Sequence, residues 1–443
     1  TNGGLVITAE QQGWSNEELE KKAARAARIK PSGGEVFLPE LLKKAGYVTG
    51  QFGKLEWGFT TWHGELKRHG WDRYVGYMDH QRAHGYYPSF LWKDGERLPL
   101  PGNTHADGGK TPEIYGPGAT EKRRGNRDGK VTYAPDAMLA ETLKFMEENR
   151  NRPMFILFST NLPHGPVDIP PAENKYAGHP AIRQAYAGAA GGNRECAGAA
   201  EEYASMVDKL DRQVGAILAQ VHKLGLEKRT IIVFSSDNGH ELYYRTDKER
   251  GRGLNCHGGV LDGTGELLDV FRGSRGLIGQ KNAMVNLAGL KWTNHEGGIR
   301  VPLIVSWPGT VPHGKVCRSL VANYDHMATF AELAGVGMPE GKDSVSYKNM
   351  LFGKPSSQRD YVVVDHTVIT GDGWKLTHKQ DKWLLFQISS DPEERHNLAE
   401  TRKDQLERLQ AIYRKEAGSP RKDRQKPEQP RKTALFPPLA FAG

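Results

Sequence analysis

Short apolar runs recur along an otherwise polar chain, and each is followed by polar residues. Met154-Phe155-Ile156-Leu157-Phe158-Ser159 leads into Thr160-Asn161-Leu162-Pro163-His164. Thr230-Ile231-Ile232-Val233-Phe234-Ser235 leads into Ser236-Asp237-Asn238-Gly239. Val301-Pro302-Leu303-Ile304-Val305-Ser306 and Tyr361-Val362-Val363-Val364 have the same character. Runs this short, rich in β-branched and aromatic residues, predict buried strands. Between them the period changes. Tyr203, Val207, Leu210, Val214, Ile217, Leu218 and Val221 recur at three- and four-residue steps, with Gly225 placed to end a helix. Further helices are predicted over Pro135–Met146, over Leu38–Ala45 before Gly46, and over Asp325–Leu333 before Gly335.

Strands alternating with helices predict an α/β fold, a mostly parallel sheet sandwiched by helices. In such sheets ligands bind beyond the carboxyl ends of the strands, where His164 and Asp237-Asn238 fall. Segments 60–132 and 241–290 are rich in glycine and charge with weak periodicity. They read as long insertions over one rim of the sheet, and loops of that length are functional or disordered. Residues 10–30 read as a polar surface helix or loop, and 360–400 as a small separate sheet. The division expected is a main domain over 1–350, a small C-terminal α+β subdomain over 351–417, and a basic, Pro-rich tail over 418–443.

Composition narrows the function classes. No run of 18 apolar residues exists, so a membrane-spanning helix is excluded. The net charge is +8, but residues 401–443 carry eleven Lys/Arg against five Asp/Glu, six of those eight charges. The body is close to balance and lacks the charge excess of a nucleic-acid binder. Cys196, Cys256 and Cys317 lie far apart with no CxxC pair, which argues against a zinc ribbon, a dithiol redox site and a disulfide-dense scaffold. One disulfide remains open. The first residues, Thr1 to Ile7, show no signal-peptide pattern.

The candidate chemistry lies at the strand exits. Asp237 and Asn238 offer a carboxylate and an amide oxygen, ligands that hard cations use, or they form a strand-end turn. His164 is a candidate general acid or a loop histidine held by backbone. Gly53-Lys54 follows what reads as a turn over Ala45–Gly50. Lys291 precedes the Gly297-Gly298 turn. Each lysine either meets an anionic oxygen or sits on the surface. Two lysines, a histidine and an Asp/Asn pair suit hydrolysis of a phosphate or sulfate ester. Tyr86-Tyr87-Pro88 and Trp92 are either sugar platforms or core. His63, His84, His105 and His240 lie in the rim segments or beside Asp237-Asn238, and His240 is a candidate substrate contact.

The ordered set of motifs resembles the type I sulfatases of the alkaline-phosphatase superfamily. Leu38-Pro39-Glu40-Leu41-Leu42-Lys43-Lys44-Ala45-Gly46-Tyr47 and Gly53-Lys54 are similar to its Gly-Lys region, and Pro163-His164 to its Pro-His after a strand. Ser236-Asp237-Asn238-Gly239 and Lys291 with Glu296-Gly297-Gly298-Ile299-Arg300-Val301-Pro302 follow in order. Ser306-Trp307-Pro308-Gly309, Asn323-Tyr324-Asp325 and Asp391-Pro392-Glu393-Glu394 with Asn397-Leu398 complete the match, which spans roughly residues 37 to 400.

The resemblance implies a sulfuric-ester hydrolase acting on a sulfated small molecule or, by preference, a sulfated carbohydrate. It implies that Lys54 and Lys291 hold sulfate oxygens and that His164 serves the leaving oxygen. Asp237 and Asn238 would be half of a Ca²⁺ site, with Mg²⁺ the second candidate. A periplasmic or secreted setting, lysosomal in a eukaryote, goes with it. The family's nucleophile is a formylglycine made in a Cys/Ser-x-Pro-x-Arg motif, and that motif does not occur in this sequence. The family's paired-Asp first strand is also not found, and Glu56 stands where many members carry histidine. The expectation is therefore an upstream piece bearing strand and nucleophile, leaving this chain weak or inactive as a hydrolase. A carbohydrate-binding pseudoenzyme and a phosphatase or phosphodiesterase of the same superfamily are the alternatives.

Overall fold

The computed structural model describes residues 35–54, 63–78, 82–104, 129–165, 167–187, 194–239, 274–277, 284–288, 291, 293–354, 359–379 and 382–417. The readings made for residues 10–30, His105, His240, Glu56 and the tail from 418 lie outside them. The chain divides into two units, Thr1–Gln358 and Arg359–Gly443.

In the first unit the order is α1 (Leu38–Lys44), β1 (Val48–Gly53), α2 (His63–Arg68), β2 (Arg73–Gly76), β3 (Phe90–Lys93) and β4 (Glu96–Pro99). There follow α3 (Ala134–Glu148), β5 (Met154–Ser159), α4 (Pro180–Ala187), α5 (Arg194–Lys223), β6 (Ile232–Ser235), β7 (Ser274–Leu277) and β8 (Met284–Leu287). It closes with α6 (Glu296–Ile299), β9 (Leu303–Ser306), α7 (Asp325–Leu333) and α8 (Lys348–Leu351). One sheet has the order β4-β3-β2-β1-β5. β1 runs parallel to both β2 and β5, while β3 and β4 add antiparallel strands at one edge. β6 and β9 pair antiparallel, as do β7 and β8. The class is α/β with helices on a mixed sheet, as the alternation of periods predicts.

The structure departs from the sequence reading at its centre. Val48-Thr49-Gly50, read as part of a turn, begins β1, which is buried along its whole length. Two polar residues and two glycines mask its strand character, and tertiary contacts supply the reason for each. Thr49 Oγ1 donates to the Gly70 carbonyl (2.6 Å), so its polar atom is satisfied. A Cβ at Gly50 would lie 2.8 Å from the Phe52 ring and 3.0 Å from that of Phe145. Segment 60–132 is likewise more than a rim insertion, because it contributes α2 and β2 through β4.

α3 begins with Pro135 in its first turn, where a missing N–H costs nothing. Phe145 of α3 meets Phe52 of β1 edge-on at 5.6 Å. Around them Val48, Val75, Leu91, Ala134 and Met138 form one core cluster. Burying each large side chain there contributes about 1.5–3 kcal/mol. A second cluster unites Tyr86, Tyr87, Tyr133, Leu162, Val167, Ile169 and Met206. Tyr86, Tyr87 and Trp92 are each at most 2% exposed, so they are core residues and not sugar platforms.

The second unit is a meander of β10 (Tyr361–Val364), β11 (Thr367–Thr370), β12 (Trp374–Lys379) and β13 (Lys382–Gln387), all antiparallel, with α9 (Lys403–Ala417). Val368, Leu376 and Leu385 of the sheet and Leu409 and Tyr413 of α9 make its core.

Candidate active site

The exits of β1 and β5 are locked together by backbone. Gly53 ends β1 at φ +127, and a Cβ there would lie 2.0 Å from the Ser159 carbonyl oxygen. Only glycine permits that approach. The next residue, Lys54, donates its N–H to the same Ser159 oxygen at 2.8 Å. Its own carbonyl accepts from Gln51 Nε2 (2.6 Å) and Ser159 Oγ (2.7 Å). The lysine therefore starts from a fixed backbone.

His164 is set by the turn after β5. Its N–H donates to the Asn161 carbonyl at 2.8 Å. The Tyr86 hydroxyl donates to the Asn161 carbonyl (3.0 Å) and to the carbonyl of His164 itself. Each ring nitrogen meets a polar group. Nδ1 lies 2.6 Å from the Gly165 carbonyl, which can only accept, so Nδ1 carries the proton. Nε2 lies 3.3 Å from Lys291 Nζ and is the acceptor of that pair. Burial above all, then the charges of Lys54, His84 and Lys291, holds the imidazole far below its ordinary pKa; the bond to Gly165 opposes them. His164 is thus a neutral base at neutral pH, within reach of ammonium groups.

The segment carrying Lys291 also reaches the turn after β6. The Gly297 N–H donates to Ala288 (2.7 Å), and the Gly298 carbonyl accepts from the Gly239 N–H (2.9 Å). A Cβ at Gly239 would fall 1.9 Å from the Gly297 oxygen, so the two backbones touch without side chains between them. Glu296 is buried and pairs with Arg300 at 3.2 Å. Asp237 is exposed and Asn238 half-buried. Asn238 spends an amide N–H on the Gly239 carbonyl (2.9 Å), which leaves its side-chain oxygen available as an acceptor.

The pair offers side-chain oxygens of the kind Ca²⁺ takes, but Ca²⁺ takes six to eight in all. Among the described residues no cluster of three or more His, Cys, Asp or Glu is arranged to hold a metal. Asp237 and Asn238 therefore fit part of a hard-cation shell.

Of the residues marked in the sequence, Lys54 and Lys291 both act on His164, and the Gly239–Gly298 contact joins the Asp237-Asn238 turn to the Lys291 segment. Cys317 is exposed. The sequence reading missed Asn161, Tyr86 and Gln51 as supports. It left His84 among several rim histidines, although its ring centroid lies 4.4 Å from that of His164. No spacing rule marks Asn161, Tyr86 and His84, because their roles depend on chain segments far apart; Gln51 acts locally, three positions before Lys54.

A sulfatase family profile matches residues 9–336, and a profile for the C-terminal region of N-sulphoglucosamine sulphohydrolase matches 291–417. The dog N-acetylgalactosamine-6-sulfatase is 26% identical over 310 residues, covering 70% of this chain and 46% of the relative. An N-acetylgalactosamine-6-O-sulfatase of Bacteroides thetaiotaomicron is 26% identical over 226 residues, 46% of this chain and 39% of the relative. The chain thus spans less than half the length of these curated relatives. A solved protein of the Bacteroides thetaiotaomicron glycosaminoglycan-metabolism locus superposes with a TM-score of 0.59 at 20% identity, covering 86% of this chain and 82% of its own. A second solved structure, of a protein in complex with its substrate D-glucosamine-2-N,6-O-disulfate, gives a TM-score of 0.56 at 17% identity, covering 94% of this chain and 87% of its own. These structures share the fold. No helix among the described residues is long and apolar enough to cross a membrane.

Proposed function

Because the chain belongs to the sulfatase family, we propose that it acts on a sulfate ester carried by a carbohydrate. The observation that carries the reading is the Lys291 Nζ to His164 Nε2 approach of 3.3 Å, with Lys54 acting on the same imidazole. Two ammonium groups beside a neutral base form a site for an anion.

In this reading Lys54 and Lys291 take the non-bridging oxygens of the sulfate. The bound anion offsets their charge, so the field that keeps His164 deprotonated weakens. Nε2 can then hold a proton and pass it to the leaving alkoxide oxygen as the S–O bond breaks. Nδ1–H stays on the Gly165 carbonyl and keeps the ring oriented. Asp237 and Asn238 would supply two oxygens to a calcium ion, whose charge would add to that of the lysines. A formylglycine would supply the nucleophile, and no motif for making one occurs in these 443 residues. The alternative reading is that the chain binds a sulfated carbohydrate without hydrolysing it.

The test incubates the full chain with 6-sulfated N-acetylgalactosamine, with calcium and with chelator, and follows free sulfate and sugar binding. Sulfate release that Lys54→Ala abolishes supports the hydrolase. Binding without release supports the second reading. Neither binding nor release overturns both.

A further inference from the structure

We propose that Tyr77 and Tyr86 are positioning residues of the candidate site: their buried hydroxyls form a brace that fixes where His164 stands relative to Lys54. The inference rests on the reading of Lys54, His164 and Lys291 as a sulfate site.

Tyr74, Tyr77 and Tyr86 come from β2 and the chain just beyond it, and each is at most 1% exposed. A buried phenol hydroxyl needs an acceptor. Each of these three finds one on backbone, and the carbonyls they reach form a path across the site. The Gly53 carbonyl, one peptide before Lys54, accepts from the Tyr74 hydroxyl at 3.2 Å and from the Tyr77 N–H at 3.1 Å. The Tyr74 hydroxyl also reaches the Tyr77 carbonyl. The Tyr77 hydroxyl donates to the Gly85 carbonyl at 2.8 Å. The next residue, Tyr86, shares its hydroxyl proton between the Asn161 carbonyl at 3.0 Å and the carbonyl of His164. A path of buried hydrogen bonds thus runs from the backbone at Lys54 to the backbone at His164. Asn161 closes it from the far side. Its side-chain amide donates to the Ala83 carbonyl at 3.0 Å, and its own carbonyl accepts the His164 N–H at 2.8 Å.

The sheet alone does not supply this. The ladder between β1 and β5 ends at Gly53 and Ser159, and His164 lies in the turn beyond it. That turn takes its place from Tyr86 and Asn161. Groups that hold one anion together lose affinity when any of them shifts by a fraction of an ångström. The tyrosine hydroxyls are spent on backbone, so they act through Lys54 and His164 and not on the sulfate. Tyr133 supplies the comparison. It is 3% exposed, stacks on Tyr86 at 5.4 Å and 16°, and donates its hydroxyl to the Asp168 carbonyl at 2.9 Å. Its acceptor lies off the path, so Tyr133→Phe removes an equivalent bond without releasing His164.

The test titrates the full chain and its variants with inorganic sulfate by calorimetry and records the melting temperature of each. Tyr86→Phe and Tyr133→Phe should lower the melting temperature by similar amounts. Only Tyr86→Phe should weaken sulfate binding, by about fivefold to tenfold, with Tyr77→Phe weakening it by about twofold to fivefold. Sulfate affinities that are equal in Tyr86→Phe and Tyr133→Phe, while Lys54→Ala abolishes binding, overturn the brace and leave the site standing. No sulfate binding by the wild type overturns the site and the brace with it. If Tyr86→Phe does not fold, Tyr77→Phe decides: an affinity equal to that of Tyr133→Phe overturns the proposal.

Discussion

Lys375 and His164 are both basic side chains withdrawn from water, and their surroundings have opposite sign. Lys375 lies in the meander of the second unit, 2.8 Å from Glu394, and neither side chain has any exposure. His164 lies at the strand exits of the first unit, and the charges that act on it most are those of Lys54, His84 and Lys291. The first arrangement neutralises a charge inside a folded core. The second gathers cationic groups around a base, a field that an anionic ligand would offset in the proposed reading. One protects the fold; the other costs folding stability and, in the proposed reading, serves binding. The contrast separates residues whose loss unfolds the protein from residues whose loss silences it.

The largest effect should come from breaking the buried pair. Glu394→Gln strands an ammonium in a dry core and should cost about 3–5 kcal/mol in urea unfolding of the full chain. Replacing both partners, Lys375→Met with Glu394→Leu, should restore most of that loss. A double variant as unstable as the single one would show that the site needs charge for another reason.

Next in size is the opposite case. If the chain hydrolyses a sulfate ester as proposed, Lys54→Ala or Lys291→Ala should reduce that turnover by about 10²–10³, or ~3–4 kcal/mol of transition-state stabilisation; if it only binds one, the same variants should weaken the binding. The melting temperature should stay level or rise, because a like charge is removed. A lysine variant that lost activity through unfolding would erase the distinction between the two regions.

The smallest effect is in the pH dependence of stability. In the folded chain His164 is less basic than its ordinary value of 6.5. Below that pH the unfolded chain binds more protons than the folded one, so stability falls as the solution is acidified. The slope from this residue is at most ~1.4 kcal/mol per pH unit. His326, also less basic through burial, adds to it with the same sign. Denaturant titrations between about pH 4 and pH 7 should show a shallower acid limb in His164→Asn.

Legibility varied with how local the signal was. Met154–Ser159 and Ile232–Ser235 are strands whose apolar residues lie side by side, so the sequence displays them. β1 was hidden because Thr49 and Gln51 are polar and Gly50 and Gly53 carry no side chain. Its burial is complete only because β2 and β5 flank it and α3 packs against it. Lys54, His164 and Lys291 were legible as site candidates because each follows a strand or sits beside glycines in a recognisable motif. Asn161, Tyr86 and His84 were not, since their work is done through carbonyls and rings up to 80 positions away in the chain. Tyr86, Tyr87 and Trp92 could be ring platforms or core from their identity alone, and burial made them core.

By itself the sequence determined the α/β class, the helices and strands with clean periods, the family and the chemical types at the strand exits. Those are local properties, carried by the spacing of apolar residues and by short motifs. Only the tertiary structure decided that Lys291 meets His164 across 127 positions, that His84 stands beside them, and which ring nitrogen holds the proton. A distance between side chains remote in sequence is set by packing of whole strands and helices, and no window of neighbouring residues contains it.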